Sequence, residues 1–418
     1  MSYASWPGIL AEPQAQALYL HVPFCVHKCA YCDFASWETP HGDDLMVAYE
    51  RALELQFEEA LSAGLLDPKT AYIGGGTPSM LGQDLAKLVG RIAREFQLHE
   101  FTSEANPESL SPDLIGQLAA AGLTRLSLGV QSFCDQELLA LGRAHSAQTA
   151  MACVRAAQNA QLRVSIDLMC ATPQQTDASW EDTLHKACEL GVSHVSIYPL
   201  IIEDNTPLAV LAEHEGAPWN TSDIQADRML TAEKILQAHG LSRYEVASYA
   251  ARGQASEHNC AYWTARPYLG LGTAASSMLT RAAYERLRAV APQLPKLPKD
   301  AARARLTCKT GRKKLVAAPT LKDQHYTVEF LNLEQACAED LMLAMRMSAG
   351  VCPELAQSAQ KIFGARYYEM VEDVIQRGLA EEQPDASLVP TERGWLLGNE
   401  LFGACWELAV GTIDEISC

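Results

Sequence analysis

Basic residues are in short supply: 33 Lys and Arg stand against 51 Asp and Glu, a formal charge of −18 over 418 residues. That balance excludes a general binder of nucleic acid or of anionic membranes, because neutralising phosphates takes clustered cations. Long apolar runs are missing as well. Val192–Ile202 is broken by Ser, His and Tyr and falls short of the roughly 20 residues a bilayer span requires, so no transmembrane segment is expected. Met1 to Ala11 offers neither a basic start nor an apolar core of the secretory kind, and the cysteines number 13, which is odd. Both points argue against a disulfide framework and for a reducing, cytoplasmic setting. No solenoid-type repeat and no long low-complexity segment occurs. A chain of this length is expected to hold two or three compact units and a large core.

What the chain does have is alternation. Short apolar and β-branched runs (Ala17–Val22, Thr70–Ile73, Glu100–Glu104, Arg125–Val130, Arg163–Leu168, His194–Leu200) are separated by stretches of helical period at about 43–63, 82–96, 111–121, 146–161 and 177–190. This predicts an α/β fold of parallel strands with right-handed crossovers, and function at the carboxyl ends of the strands. The residues that break the pattern sit there: Cys25–Cys32, Gly74–Thr77, Glu104–Asn106, Gln131–Ser132 and Asp167. Beyond about 210 the pattern changes to a helix near 222–239 and then to His258–Ser277, rich in Gly, Tyr and Trp. Residues 281–323 hold twelve Lys/Arg against three acids, a local +9 that leaves −27 for the rest, and Pro292, Pro295 and Pro298 mark them as an insertion or extended loop. Amphipathic helices and a short strand follow from about 335. The expected division is a partial (β/α)6 TIM-like barrel at 15–250, a connecting region at 251–334, and a C-terminal helical, winged-helix-like module at 335–418. The acidity speaks against a DNA role for that module.

Cys25, Cys29 and Cys32 form a C-x3-C-x2-C spacing directly after the first run. Three thiolates so close converge only in a loop, and thiolates select soft metals or iron–sulfur clusters. With Asp33 and Phe34 next and no fourth Cys nearby, a [4Fe–4S] cube would keep one iron open for a ligand. A zinc site completed by His21 or His27 is the alternative, together with plain core thiols. The other ten cysteines read as ordinary buried thiols.

Leu18–Phe34, LYLHVPFCVHKCAYCDF, resembles the signature of radical S-adenosylmethionine (SAM) enzymes of the oxygen-independent coproporphyrinogen oxidase group, and in particular its HemW branch. The resemblance continues through YIGGGTPS (72–79), SEANPE (103–108), RLSLGVQSF (125–133), LGRAHS (141–146), SIDLM (165–169), HNCAYW (258–263) and YLGLG (268–272). It implies that the open iron chelates SAM, whose C–S bond is cleaved on reduction to give a 5′-deoxyadenosyl radical. It implies SAM contacts for Tyr19, Gly75, Gly76, Thr77, Glu104, Gln131, Arg143 and Asp167. Carboxylates at a barrel mouth suit amino and hydroxyl donors, Arg143 suits a carboxylate, and the glycine run lets backbone N–H groups come close to a ligand.

Three functions share this equipment. One is a HemW-type haem-binding protein that passes haem to haem-requiring proteins. The others are coproporphyrinogen III dehydrogenase and a related radical SAM methyltransferase. The dehydrogenases typically add a fourth cysteine two residues after the third and begin with a longer N-terminal segment, whereas here Phe34 stands at that position and 24 residues precede Cys25. His258-Asn259-Cys260-Ala261-Tyr262 matches the HNxxY pattern associated with haem, so His258 is the candidate iron ligand and Tyr262 a second contact. The HemW-type histidine expected after YLGLG is replaced by Ser276, a departure toward the other two branches. The implied partners are haem or a porphyrin, haem-accepting proteins, and a reductant such as flavodoxin or ferredoxin. A homodimer is compatible with the resemblance.

Overall fold

Four helices of the alternating region start where a short polar side chain satisfies one of their first N–H groups. Asp43, Ser111, Ser146 and Thr176 cap the helices Asp44–Ser62, Pro112–Ala121, Ala147–Asn159 and Asp177–Glu189. Together with Gln83–Glu95 these helices link six strands: Ala15–Val22, Leu66–Gly75, Glu100–Ala105, Arg125–Gln131, Arg163–Cys170 and His194–Pro199. In the computed structural model, which describes residues 6–9, 14–409, 411 and 413–418, the six lie side by side in sequence order, each parallel to the next. Their apolar residues are nearly all buried, as a parallel sheet covered by helices requires. Their carboxyl ends therefore gather along one rim.

The sheet does not close. Strand Tyr268–Leu271 lies parallel to the free side of the first strand, and Ser276–Thr280, Ala301–Cys308, Tyr326–Asn332 and Glu415–Ser417 continue it as antiparallel neighbours. Ser248–Ala250 and Ser242–Arg243 extend the opposite edge. Residues 251–334 are thus woven into the barrel sheet. A second apolar core forms around the helices Leu333–Ala344, Pro353–Phe363, Ala365–Gln376 and Gly398–Trp406 and a hairpin of Ala380–Glu382 with Leu388–Pro390. Among the described residues no helix is long and apolar enough to cross a membrane.

The basic block departs from expectation only in part. The stretch around Pro292, Pro295 and Pro298 and the segment 309–325, broken only by the short turns Arg312–Lys314 and Leu321–Asp323, are irregular as expected, whereas Arg281–Val290 is a helix and Ala301–Cys308 a strand. Arg303 is buried against Glu339 and Asp340 at 3.2 and 2.7 Å, and Arg305 pairs with Glu329 and Glu339 at 2.8 and 2.6 Å. Composition alone reads these arginines as surface charge because their partners lie further along the chain, at 329, 339 and 340.

One junction fixes the first strand relative to its helix. Tyr49 of the helix Asp44–Ser62 donates its hydroxyl to His21 O and accepts the Thr273 N–H, both at 2.9 Å, while the Gly272 N–H meets Gln56 Oε1 at 3.0 Å. Gly272 has φ +89°, and a Cβ there would stand 2.4 Å from the Tyr49 hydroxyl. Gly272→Ala is expected to destabilise the protein by about 2 kcal/mol or more, lowering the urea midpoint. An unchanged midpoint would show that the junction tolerates opening.

Candidate functional site

The first strand ends at Val22, and Pro23 leads into the two-residue strand Phe24–Cys25, which pairs in parallel with Trp37–Glu38. The intervening residues are drawn into a closed loop. Thr39 N–H donates to Cys25 O at 2.9 Å, and Ala30 N–H to Leu141 O at 3.1 Å. His21 braces the loop from below: Nε2 meets Ala35 O at 3.1 Å, and Nδ1 meets the Tyr19 hydroxyl at 3.0 Å. His27 lies on Glu38 at the surface. Cys25 is buried, Cys29 and Cys32 are half-buried, and all three line one cavity of about 560 Å³.

Among the described residues no three His, Cys, Asp or Glu side chains stand close enough together to hold a single metal ion. Both histidines that might complete a zinc site are engaged elsewhere, His21 with Ala35 O and Tyr19 and His27 with Glu38. Thiolates of an iron–sulfur cube each bind a different iron, and Cys25, Cys29 and Cys32 are the thiols that line this cavity. Burial raises the Cys25 and Cys32 thiols above their ordinary value, so metal binding there is coupled to proton release.

The second strand passes directly beneath this loop. A Cβ on Gly75, whose φ is +123°, would meet the His21 ring at 2.8 Å, and one on Gly76 would meet Phe24 O at 2.8 Å and Cys25 Sγ at 3.0 Å. The glycines serve this close approach. Their N–H groups are already committed, Gly75 to Glu104 Oε2 at 3.0 Å and Gly76 to Val22 O at 2.8 Å, which corrects the expectation that they are free for a ligand. The Thr77 hydroxyl lies 3.6 Å from Cys25 Sγ and accepts from Asn106 Nδ2 at 2.9 Å.

Strands three to five bring the charged groups. Glu104 takes the Tyr72 hydroxyl at 2.7 Å, and burial raises its pKa. Arg143 donates through Nη1 to Cys29 Sγ at 3.2 Å and through Nη2 to Asn106 Oδ1 at 2.6 Å and Gly129 O at 2.9 Å, while its buried Nε has no partner. Gln131 sits at a bulge with φ +65°, a left-handed conformation of the kind held at functional sites. Burial, and next the Glu104 charge, raise Asp167 to about 7 against the opposing hydroxyls of Ser196 and Ser127.

Cys25, Cys29, Cys32, Gly75, Gly76, Glu104, Gln131, Arg143 and Asp167 all line the cavity. Tyr19 and Thr77 stand one layer behind, touching His21 and Cys25 respectively. The cavity also runs down the barrel to Arg125, His194, Ser256 and Asn259, where Thr102 Oγ1 and His194 Nδ1 have no hydrogen-bond partner.

His258 and Tyr262 lie at the opposite end from the cysteines. The helix Glu257–Trp263 covers the amino ends of the strands, with the His258 N–H on Glu100 Oε1 at 3.2 Å. The His258 ring stacks on Tyr72 at 5.1 Å, and both its nitrogens are engaged, Nδ1 with the Thr70 hydroxyl at 2.9 Å and Nε2 with the Tyr262 hydroxyl at 2.8 Å. Burial pushes its pKa down to about 4, so the ring is neutral. Thr70 is five residues before Gly75 on one strand, a rise of about 16 Å. His258 thus has no open nitrogen in this conformation. Ser276 is exposed and pairs with the Thr307 hydroxyl.

Sequence reasoning missed Tyr72 and Asn106 as wall residues, although both fall inside the quoted motifs. It also missed Ser127 and Ser196, which only strand register brings beside Asp167.

Residues 19–187 match the Radical SAM superfamily. The chain is similar to "Heme chaperone HemW" of Bacillus subtilis (strain 168), 29% identical over 93% of this chain and 98% of the relative. It is 32% identical to the protein of that name from Lactococcus lactis, over 92% of this chain and 95% of the relative. Among solved structures, coproporphyrinogen III oxidase (HemN) from Escherichia coli shares the fold, with a TM-score of 0.71 and 18% identity over 95% of this chain and 91% of that one.

Asp167 gives the site a pH signature. Its folded pKa, about 7, lies above the unfolded value of about 3.9, so its contribution to stability is fully present below about pH 4 and is lost as pH rises through about 7. Asp167→Asn should flatten the pH dependence of the urea midpoint across that range. Parallel profiles for the two proteins would contradict the assignment.

Proposed function

We propose that this chain, which belongs to the HemW family of the radical SAM superfamily, carries a [4Fe–4S] cluster on Cys25, Cys29 and Cys32, binds SAM beside it, and holds haem for delivery to haem-requiring proteins. The carrying observation is that three thiols, two carboxylates, a glutamine and an arginine with an unused buried donor line one cavity in a chain related to haem chaperones over nearly its whole length. When bound, the cluster supplies the electron that cleaves a C–S bond of SAM. The chain's own residues do the holding. Arg143 pairs with the SAM carboxylate while its Nη1 holds Cys29 Sγ in place. Glu104 and Asp167 accept from the amino and ribose hydroxyl groups, with Asp167 ionising as the cationic ligand enters. Gln131 adds a polar contact, and Gly75 and Gly76 keep the second strand close under the cysteine loop. Tyr19 and Thr77 act through His21 and Cys25. The protein works in the cytoplasm and takes its electron from a flavodoxin or ferredoxin.

His258 and Tyr262 are the proposed haem contacts. For His258 to ligate iron, Nε2 must leave the Tyr262 hydroxyl, at a cost of about 1–3 kcal/mol for the group left unpaired. The second reading, porphyrinogen dehydrogenation, is favoured by Ser276 in place of the family histidine.

One anaerobic assay separates the two. Reconstituted protein is incubated with SAM and a reductant in the presence of haem or coproporphyrinogen III. Stoichiometric haem retention without porphyrin conversion is expected, weakened in His258→Ala and tightened in Tyr262→Phe, where the competing hydroxyl is gone. Conversion to protoporphyrinogen would replace the chaperone reading with the dehydrogenase. Retention indifferent to both substitutions would remove His258 as a ligand.

A further inference from the structure

One short segment gathers exposed positive charge that forms no ion pair among the described residues. Residues 309–322 carry Lys309, Arg312, Lys313, Lys314 and Lys322 and no acid, a local +5 that leaves −23 for the remainder of a −18 chain. All five side chains are exposed. The other arginines of the basic block are occupied: Arg303 and Arg305 are ion-paired, Arg281 and Arg286 donate to carbonyls, and Arg288 pairs with Glu285. Among the described residues Lys309, Lys313, Lys314 and Lys322 form no ion pair. Asp323 and Glu59 adjoin the segment but leave it with an excess of cations, so an outside anion would stabilise this surface.

Its position says what that anion is for. Arg312 Nη2 donates to Glu38 O at 3.3 Å, and Glu38 is the strand partner of Cys25. The segment is anchored at both ends to elements that support the cysteine loop. Thr310 O accepts the hydroxyl of Thr273, whose N–H meets Tyr49, and Leu321 N–H meets Glu59 Oε2 at 2.7 Å on the same helix as Tyr49. Lys28, within the cysteine loop, lines the cavity itself. Half-exposed Val316 gives the basic surface one apolar contact point.

We propose that the surface formed by Lys309, Arg312, Lys313, Lys314 and Lys322 docks a small acidic electron-carrier protein, bringing its redox centre to the cysteine loop. The proposal rests on the reading of Cys25, Cys29 and Cys32 as cluster ligands. In the step it serves, the carrier's reduced centre loses one electron and the cluster gains it, and no bond forms between the proteins. Complementary charge of this kind acts mainly on the rate of encounter and makes it salt-dependent.

The test compares wild type with Lys313→Glu/Lys314→Glu and, as a second pair, Lys309→Glu/Lys322→Glu, all as reconstituted full-length protein. Stopped-flow reduction by a purified acidic flavodoxin and by dithionite is followed at low and high salt, and calorimetry measures affinity for oxidised flavodoxin, which requires no turnover. Each charge reversal should slow flavodoxin reduction about tenfold at low salt, weaken its salt dependence and lower the affinity. Iron content and dithionite reduction should match wild type. Flavodoxin rates and affinities unchanged in both pairs would overturn the proposal, as would a loss of haem affinity with flavodoxin kinetics intact, which would assign the lysines to haem propionates. Failure of the cluster reading is recognised separately, in wild type that retains no iron and sulfide.

Discussion

The guanidinium of Arg143 ties together parts of the site that the chain order keeps apart. It reaches Cys29 in the loop after the first strand, Asn106 after the third and Gly129 in the fourth. Asn106 in turn donates to Thr77, which touches Cys25. Two of the three cysteines are thereby connected through a buried cation whose Nε has no protein partner. A buried arginine with a free donor is costly unless an anionic ligand completes it. The arrangement makes sense as half of a binding site.

The two ends of the barrel are built differently. The cysteines, glycines and carboxylates occupy the carboxyl ends of the strands, where parallel sheets place chemistry, and the HNxxY helix closes the amino ends. A continuous wall joins them: Tyr72 donates to Glu104 and also stacks against His258. Displacement of His258, for example by iron, would be felt through Tyr72 at Glu104. On the proposed function, that connection would be a physical route from the His258 end of the barrel to the Glu104 end, through side chains in direct contact.

Much of this was legible from the chain. The apolar runs and helical periods mark all six barrel strands and their crossovers, because each strand is short, buried on both faces and bounded by turn chemistry. The Cys25, Cys29 and Cys32 spacing and the polar strand ends converge on one cavity as read. What stayed hidden depends on register or on distant partners. Ser127 and Ser196 reach Asp167 only through strand pairing, Arg303 and Arg305 are neutralised by residues 329–340, and the Gly75 and Gly76 N–H groups are consumed by Glu104 and Val22. The HNxxY motif was read as a ligand set, whereas its burial against Thr70 and Glu100 follows from the sheet continuing past residue 250.

The central claim is that three thiols hold one iron–sulfur cluster. The direct measurement is iron and acid-labile sulfide content, with visible absorbance, of anaerobically reconstituted Cys25→Ala, Cys29→Ala and Cys32→Ala proteins. The account predicts that each substitution abolishes the [4Fe–4S] absorbance while the protein stays folded. Full iron and sulfide content in all three variants would contradict it.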